Sequence, residues 1–316
     1  MGRFVAGDAP EVDRLVGTAI ASLGESIAAM RIPRLAGVVL GGGYGRGEGG
    51  ARKLPGGAYA LSNDLDFHVV AEDGSTRREL AAIDAALRPL SEEWTRRLGV
   101  DVDFCTAKTP WRLRHDSSRL MVQELLHGYA DVALGKGESL FAAVPRLEPG
   151  DLPGMEAARL LMNRGAGLLL SLEGAPADFV ARNINKAALG AGDARLIARG
   201  AYMWRAEDRA RELDSPLYTA ALEWKFRPRQ EPVCGWCEAR DEWLGAEAEL
   251  RSLRARELGR RSLREAARWI ARRRTLGDPA SLGLDPVART LAGIGPNLKA
   301  RRPMSAGLRR DWEIFS

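Results

Sequence analysis

Asp64 and Asp66 are the residues whose type and spacing most clearly predict chemistry. They lie two residues apart in a segment where Leu65 and Phe67 alternate with them. On a strand such residues point to the same face, and two neighbouring carboxylates repel each other unless a cation offsets their charge. Mg²⁺ prefers oxygen ligands and commonly takes one or two carboxylates together with substrate phosphates. The pattern therefore predicts a magnesium site.

A further carboxylate is available from a second segment, residues 100–105, in which apolar and acidic residues again alternate. Asp101 and Asp103 both fit, because they would share one face of a strand. Either of them beside Asp64 and Asp66 would complete a site for two metal ions. Such a site can activate a hydroxyl group and stabilise the phosphate oxygen that leaves.

A glycine-rich segment precedes these carboxylates. Residues 41–48 read Gly-Gly-Gly-Tyr-Gly-Arg-Gly-Glu and follow a short apolar run. Backbone N–H groups approach a phosphate closely where side chains are absent, so Gly42 and Gly43 are candidate phosphate-binding residues. Arg46 is expected either to contact phosphates or to pair with Glu48. The segment is not a Walker A loop, because no Gly-Lys-Ser/Thr follows it.

The pattern of apolar residues predicts the elements that carry these motifs. A helix is predicted over 10–29, strands over 35–40 and 59–70, a helix over 76–98 and a strand over 100–105. After residue 110 the periodicity is mostly helical, over 116–129, 155–173, 178–190, 193–213 and 241–274. The change of period predicts an α/β domain over residues 1–148 and a helical domain over 149–316.

Two basic residues of the helical half lie four apart and would share a helix face, Arg182 and Lys186. Lys186 is notable because only 6 of the 47 basic residues are lysines. Asp193 is expected to cap a helix rather than bind a ligand. The pair Cys234 and Cys237 has the spacing of half a zinc site, but no further ligand lies nearby in the sequence, so a loop with incidental thiols is favoured.

Length and composition bound the class of protein. The chain has 316 residues, of which 45% are hydrophobic and 28% charged, which excludes disorder of the whole chain. No apolar run approaches a membrane span, the N-terminus has no signal-like core, and three cysteines fit a reducing compartment, so a cytoplasmic location is predicted. Residues 251–316 carry a net charge of +10 and the first 250 residues −5. The basic segment reflects either a genome-wide bias toward arginine or contact with a polyanion.

Taken together, the motifs resemble the DNA polymerase β-type nucleotidyltransferase superfamily, over about residues 10–145. Gly42-Gly43 match its Gly-Gly/Ser pair, and residues 44–48 match its x-Ala-Arg-Gly-Glu continuation with Gly45 in place of Ala. Residues 63–67 match its Asp-x-Asp strand. Val102-Asp103-Phe104 and the polar residues after it match the third acid, which favours Asp103 over Asp101. The 20 residues between Gly43 and Asp64 form a longer loop than compact members have.

The resemblance implies an α+β fold, with an N-terminal nucleotidyltransferase α/β domain built on a small mixed sheet and a C-terminal helical domain. It implies that Asp64, Asp66 and Asp103 hold two Mg²⁺ ions against a nucleoside triphosphate, and that an acceptor oxygen attacks the α-phosphate. In many members a helix after the catalytic domain supplies a lysine to the β- and γ-phosphates, a role expected here of Lys186 with Arg182.

The two-domain plan resembles MNT-type proteins and antibiotic nucleotidyltransferases, which implies a small-molecule acceptor hydroxyl. Transfer to RNA, tRNA or a protein hydroxyl is the alternative, supported by the basic C-terminal segment. A non-catalytic nucleotide binder or antitoxin-like regulator is a further alternative, but an intact set of carboxylates disfavours it. No membrane partner is predicted.

Overall fold

The computed structural model describes residues 3–7, 9–172, 174–259 and 279–294, and their fold is mixed α+β. The chain divides into two compact units. The first contains Met1–Leu147 together with Lys225–Pro228, and the second contains Glu148–Trp224 and Arg229–Ser316. A single boundary at residue 148, as predicted from the sequence, does not include the return of Lys225–Pro228 to the first unit.

The first unit combines six helices with six strands in its described part. In chain order these are α1 (Pro10–Met30), β1 (Leu35–Leu40), α2 (Gly42–Gly45), β2 (Ala51–Lys53), β3 (Tyr59–Leu61), β4 (Leu65–Ala71), α3 (Arg77–Leu98), β5 (Val102–Lys108), α4 (Pro110–His115), α5 (Leu120–His127), β6 (Ala130–Leu134) and α6 (Gly137–Leu140).

Four of these strands form a small mixed sheet in the order β5-β4-β1-β6. Strand β4 runs parallel to β5 and antiparallel to β1, and β6 is antiparallel to β1. The short strands β2 and β3 form a separate antiparallel pair. The parallel pair matters most for function, because it brings the beginnings of β4 and β5 to the same edge of the sheet.

Helices α1 and α3 each pack one apolar face against the core, and capping residues mark both ends of α3. Helix α1 buries Val12, Val16 and Leu23 in the core that also contains β1 and β4. Helix α3 begins with a capping box between Thr76 and Glu79, in which each side chain accepts from the other residue's backbone N–H. It ends at Gly99, whose left-handed conformation closes the last turn.

The predicted helix 10–29 and strand 35–40 coincide with α1 and β1 to within one residue. The predicted strand 59–70 is wrong as one element, because residues 62–64 interrupt it and leave β3 and β4 in different sheets. Asp64 therefore precedes β4 rather than lying in it. Strand β6 was not predicted, because its five residues follow α5 with little polar interruption and carry no turn signal that marks a new element.

The second unit is helical in its described part. It contains a 3-10 turn (Pro149–Asp151), α7 (Gly154–Leu170), α8 (Ala177–Arg199), α9 (Ala206–Leu213), α10 (Pro216–Phe226, whose last two residues belong to the first unit), α11 (Trp236–Gly259) and α12 (Pro279–Ala292). The distal part of the predicted helix 241–274 lies outside the described residues, as does most of the basic C-terminal segment.

Helix α8 continues through Gly190 and Gly192, where the sequence predicted a break. A Cβ on Gly190 would lie 2.5 Å from Arg164 Cγ, and a Cβ on Gly192 would overlap the Tyr218 ring. These glycines therefore allow neighbouring helices to approach closely rather than ending a helix. No helix among the described residues combines the length and apolar character that crossing a membrane requires.

Asp193 does not cap a helix as predicted but lies in the middle of α8. It forms an ion pair with Arg209 at 2.9 Å and accepts a 2.6 Å hydrogen bond from the Tyr218 hydroxyl. Arg209 is 3% exposed and also donates to the carbonyl oxygens of Met203 and Trp204. The cluster joins α8, α9 and α10, so Asp193 has a structural role.

Candidate active site

Asp66 and Asp103 lie directly opposite each other on the parallel strands β4 and β5. Phe67 and Phe104 are the next registered pair, and their rings stack with centroids 5.1 Å apart. Because successive residues of a strand point to opposite faces, the aromatic pair packs in the core and the two carboxylates face the other way. Two carboxylates on one sheet face at adjacent positions are the centre of the candidate site.

Asp64 and Asp101 immediately precede the two strands. The Leu65 N–H donates to the Asp101 carbonyl oxygen at 2.9 Å, so the pairing of the segments extends to this point. Burial raises the pKa of Asp103, and the negative charges of Asp101 and Asp64 raise it further. Asp64, Asp66, Asp101 and Asp103 therefore all belong to the first residues of β4 and β5 or directly precede them, and the register places Asp103 rather than Asp101 opposite Asp66.

The glycine-rich segment follows β1 and packs directly on Asp66. The Gly41 N–H donates to the Asp66 carbonyl oxygen at 2.8 Å. Gly42 has a φ of +60°, and a Cβ added there would overlap the carboxylate oxygen Oδ2 of Asp66. Gly42 is therefore required twice, for its left-handed backbone and for its lack of a side chain.

Gly42 and Gly43 form the first turn of the short helix α2. The first N–H groups of a helix have no carbonyl partner within that helix, so they are available to other acceptors. The Glu48 N–H donates to the Gly43 carbonyl oxygen at 2.8 Å and closes the segment into a compact turn. This arrangement is compatible with the phosphate-binding role expected of Gly42 and Gly43, which stays a prediction.

Arg46 lies between two carboxylates. Its guanidinium is 3.1 Å from Glu124 and 3.5 Å from Glu48, and the Arg46 side chain is 12% exposed. Glu48 in turn lies 3.7 Å from Lys225, which returns to the first unit at the end of α10. Of the two expectations for Arg46, the structure supplies the pair with Glu48 and adds Glu124, which sequence reasoning did not identify.

His68 and Cys105 are the next registered pair on the carboxylate face, two residues beyond Asp66 and Asp103. Burial lowers the pKa of His68 to about 4, and the positive charges of Lys108 and Arg46 contribute. Burial raises the pKa of the Cys105 thiol to about 12, with a contribution from Asp103 and Asp66. Both side chains are therefore uncharged near neutral pH. They lie beside Asp66 and Asp103 on the same face of the sheet and add no charge to the site.

Tyr44 is a site residue that sequence reasoning missed. It is 1% exposed, and its hydroxyl lies among the backbone groups of Gly50, Ser62 and Asn63. The sequence offered one indirect signal, an aromatic residue within an otherwise small and polar turn. Its contacts join residues 18 and 19 positions apart, which no local pattern encodes.

Arg182 and Lys186 belong to the second unit, where both lie on the continuous helix α8 and are partly buried. Their spacing of four residues places them on neighbouring turns of one helix face, as expected. Their proposed contact with a triphosphate stays a prediction.

The donor chemistry of the carboxylate group fits Mg²⁺. In the described part of the chain, no three or more His, Cys, Asp or Glu residues are gathered closely enough to hold a metal ion by themselves. Mg²⁺ does not need such a cage, since it commonly uses one or two carboxylates and takes its remaining ligands from water and substrate phosphates. Desolvation and the negative charges of Asp101 and Asp64 raise the pKa of Asp103, and a bound cation offsets the repulsion between these carboxylates.

Comparison of the chain with models of known protein families, with curated proteins and with solved structures found no match.

Proposed function

We propose that this protein is a Mg²⁺-dependent nucleotidyltransferase that moves a nucleoside monophosphate from a nucleoside triphosphate to an acceptor hydroxyl. The observation that carries the proposal is the registered pair of Asp66 and Asp103 with the Gly42 backbone against the Asp66 carboxylate. A polyphosphate substrate needs both halves of this arrangement, carboxylates that share a divalent cation and a backbone turn without side chains.

In this proposal Asp64, Asp66 and Asp103 are the residues that would hold Mg²⁺. When bound, the metal supplies positive charge against the triphosphate and makes the acceptor hydroxyl more acidic. Asp103 is proposed to help deprotonate the acceptor hydroxyl as a general base. The acceptor oxygen forms a bond to the α-phosphorus, and the bond to the bridging oxygen breaks, so that pyrophosphate leaves with the electron pair.

The remaining residues position the substrate. Gly42 and Gly43 are proposed to present backbone N–H groups to the triphosphate. For Lys186 and Arg182, contact with its β- and γ-phosphates stays what the family resemblance implies. Arg46 is assigned a supporting role instead, because its two carboxylate partners compete with a phosphate for its guanidinium. Positioning and charge neutralisation supply most of the catalysis in phosphoryl transfer, so a preformed turn is a direct contribution.

A small molecule is the acceptor class that we favour. The first 250 residues carry a net charge of −5, which suits a cationic or neutral acceptor better than a polyanion. Transfer to RNA or to a protein hydroxyl is the alternative, and it depends on the basic C-terminal segment.

The test is label transfer from each of the four α-³²P-labelled nucleoside triphosphates, with Mg²⁺ and a cell extract separated into small-molecule, RNA and protein fractions. Wild type, Asp66→Asn and Asp178→Asn are compared. Asp178 is a matched control, because it is an aspartate in the first turn of α8 and not part of the carboxylate group. We expect label in the small-molecule fraction with wild type and Asp178→Asn, and none with Asp66→Asn.

Label in the RNA or protein fraction, again dependent on Asp66, would retain the reaction and change the acceptor. If no fraction is labelled although the triphosphate binds, the transferase proposal is overturned, and a non-catalytic nucleotide binder takes its place.

A further inference from the structure

The position of Asp64 needs an explanation that the sheet does not provide. Asp66 and Asp103 are placed by the hydrogen bonds of two paired strands, whereas Asp64 lies in the connection between β3 and β4. Residues 62–64 belong to no strand. The hydrogen bonds between paired strands therefore do not by themselves fix the direction of the Asp64 side chain. Contacts outside the sheet must therefore contribute to holding this segment if Asp64 is to share a cation with Asp66.

The Tyr44 hydroxyl contacts this segment directly. Its oxygen accepts a hydrogen bond from the Ser62 N–H at 3.1 Å and a longer one from the Asn63 N–H at 3.5 Å. The same hydroxyl donates to the Gly50 carbonyl oxygen at 2.7 Å. One buried phenol therefore joins the two residues before Asp64 to the exit of the glycine-rich turn.

A second bond runs in the opposite direction between the same segments. The Gly50 N–H donates to the Asn63 side-chain oxygen Oδ1 at 2.7 Å. Gly50 thus uses both its N–H and its carbonyl group in the connection. The lack of a side chain at Gly49 leaves space for the Tyr44 ring, because a Cβ at that position would overlap the ring.

The chemistry of Tyr44 suits a permanent connection. Burial raises the pKa of its phenol above the usual range, so the hydroxyl keeps its proton at neutral pH and remains a donor to Gly50. The Tyr44 hydroxyl is bonded both as a donor and as an acceptor, and breaking either bond would leave a desolvated polar group, so the connection is rigid.

We infer that Tyr44, assisted by Asn63, is the positioning residue that holds Asp64 at the metal-binding carboxylate group. The inference rests on the proposed function for the role of Asp64. It adds that the glycine-rich turn serves the site twice, through the Gly42 backbone against Asp66 and through Tyr44 behind Asp64. Neither Tyr44 nor Asn63 contacts the reacting atoms in this assignment.

The test compares Tyr44→Phe with Tyr218→Phe. Each substitution removes one buried, hydrogen-bonded phenol oxygen and keeps the ring, but Tyr218 belongs to the cluster of Asp193 and Arg209 in the second unit. A general loss of stability therefore affects both variants, and only a positioning effect distinguishes them.

The first readout needs no metal. Amide hydrogen exchange is measured by mass spectrometry on peptides that span residues 62–66. We expect exchange there to be about tenfold faster in Tyr44→Phe, the effect of one lost hydrogen bond of ordinary strength, and unchanged in Tyr218→Phe. Unchanged exchange in Tyr44→Phe would overturn the positioning role.

The second readout is the affinity for Mn²⁺, measured from the free-ion electron paramagnetic resonance signal without any nucleotide. We expect Tyr44→Phe to bind Mn²⁺ about tenfold more weakly, as is usual when a partner that orients a metal ligand is removed. The double variant Tyr44→Phe/Asp64→Asn should bind no more weakly than Asp64→Asn alone, because Tyr44 acts through Asp64. Additive losses would overturn the inference.

Different results would overturn the proposed function and the positioning role of Tyr44. If Mn²⁺ affinity is the same in wild type, Asp64→Asn and Asp66→Asn, the metal site and the proposed function are overturned together with the metal role of Asp64. If those two variants lose Mn²⁺ affinity and Tyr44→Phe does not, the proposed function stands and the inference about Tyr44 is wrong.

Discussion

Asp66 on β4 lies in register with Asp103 on the parallel strand β5. This relationship joins two sequence segments that are separated by the whole of helix α3. The helix returns the chain to the edge where β4 began, so that β5 starts beside it and the two acids meet. The structure thereby places side by side two carboxylates that the sequence shows only as separate motifs.

Because the register pairs Asp103 and not Asp101 with Asp66, the two acids are expected to differ in their importance for catalysis. We expect Asp103→Asn to lower kcat by at least about a hundredfold, the loss of a few kcal/mol of charge stabilisation at the reacting phosphate. Asp101→Asn should retain most of the activity. Steady-state kinetics with the active nucleotide check this, and the opposite order of the two variants would assign the third acid to Asp101.

Replacing Asp101 is expected to change how kcat depends on pH. The negative charge of Asp101 contributes to the raised pKa of Asp103. Removing that charge in Asp101→Asn lowers the pKa of Asp103. Asp103 then loses its proton at lower pH, so the acidic limb of the profile of kcat against pH should move to lower pH. A profile that does not move would show that another group defines this limb.

Gly42 tolerates no side chain in the arrangement described. We expect Gly42→Ala to cost about 1–2 kcal/mol of folding free energy through its left-handed backbone, and to abolish activity by displacing the Asp66 carboxylate. Gly57→Ala is the matched control, because Gly57 also has a positive φ, of +94°, but an added Cβ meets nothing within 4 Å. Urea unfolding and kinetics on both variants separate backbone strain from the effect on Asp66. Comparable loss of activity in the two would contradict the assignment.

Arg46 is expected to matter for stability rather than for triphosphate affinity. Replacing it in Arg46→Met leaves Glu48 and Glu124 largely buried without this partner, at a cost of about 3 kcal/mol. Arg97→Met removes an exposed pair with Glu93 and should change stability by less than about 1 kcal/mol. Thermal unfolding measures both. A stable Arg46→Met variant with a strongly raised KM for the triphosphate would restore the phosphate-binding role.

The buried His68 is expected to make the folded protein less stable in acid. Its pKa is lowered to about 4 in the folded protein, against 6.5 for an unperturbed histidine. The unfolded chain therefore binds more protons between these values, and the folded state loses stability as the pH falls from about 6.5 to about 4. We expect His68→Gln to flatten this dependence in urea unfolding, while His115→Gln, at an exposed position, leaves it unchanged. An equal slope in wild type and His68→Gln would assign it to other groups.

The sequence by itself determined the elements whose signals are local. Helix α1 has an apolar stripe, β1 is a short apolar run before glycines, and α3 has the periodicity of a helix, so each was placed to within a few residues. The candidate carboxylates were also visible, because alternation with apolar residues marks them wherever the strands pair. Local periodicity contains this information, since it depends only on which face of an element is buried.

Only the tertiary structure decided how these parts meet. It interrupted the predicted strand at residues 62–64, added β6 to the sheet, placed Asp103 opposite Asp66, paired Arg46 with Glu124 and brought the Tyr44 hydroxyl to residues 62–63. Each of these relationships joins residues that are distant in sequence and depends on strand pairing or on a buried polar group that needs a partner. Such constraints are satisfied by the whole fold at once, and no window of the sequence contains both members of the pair.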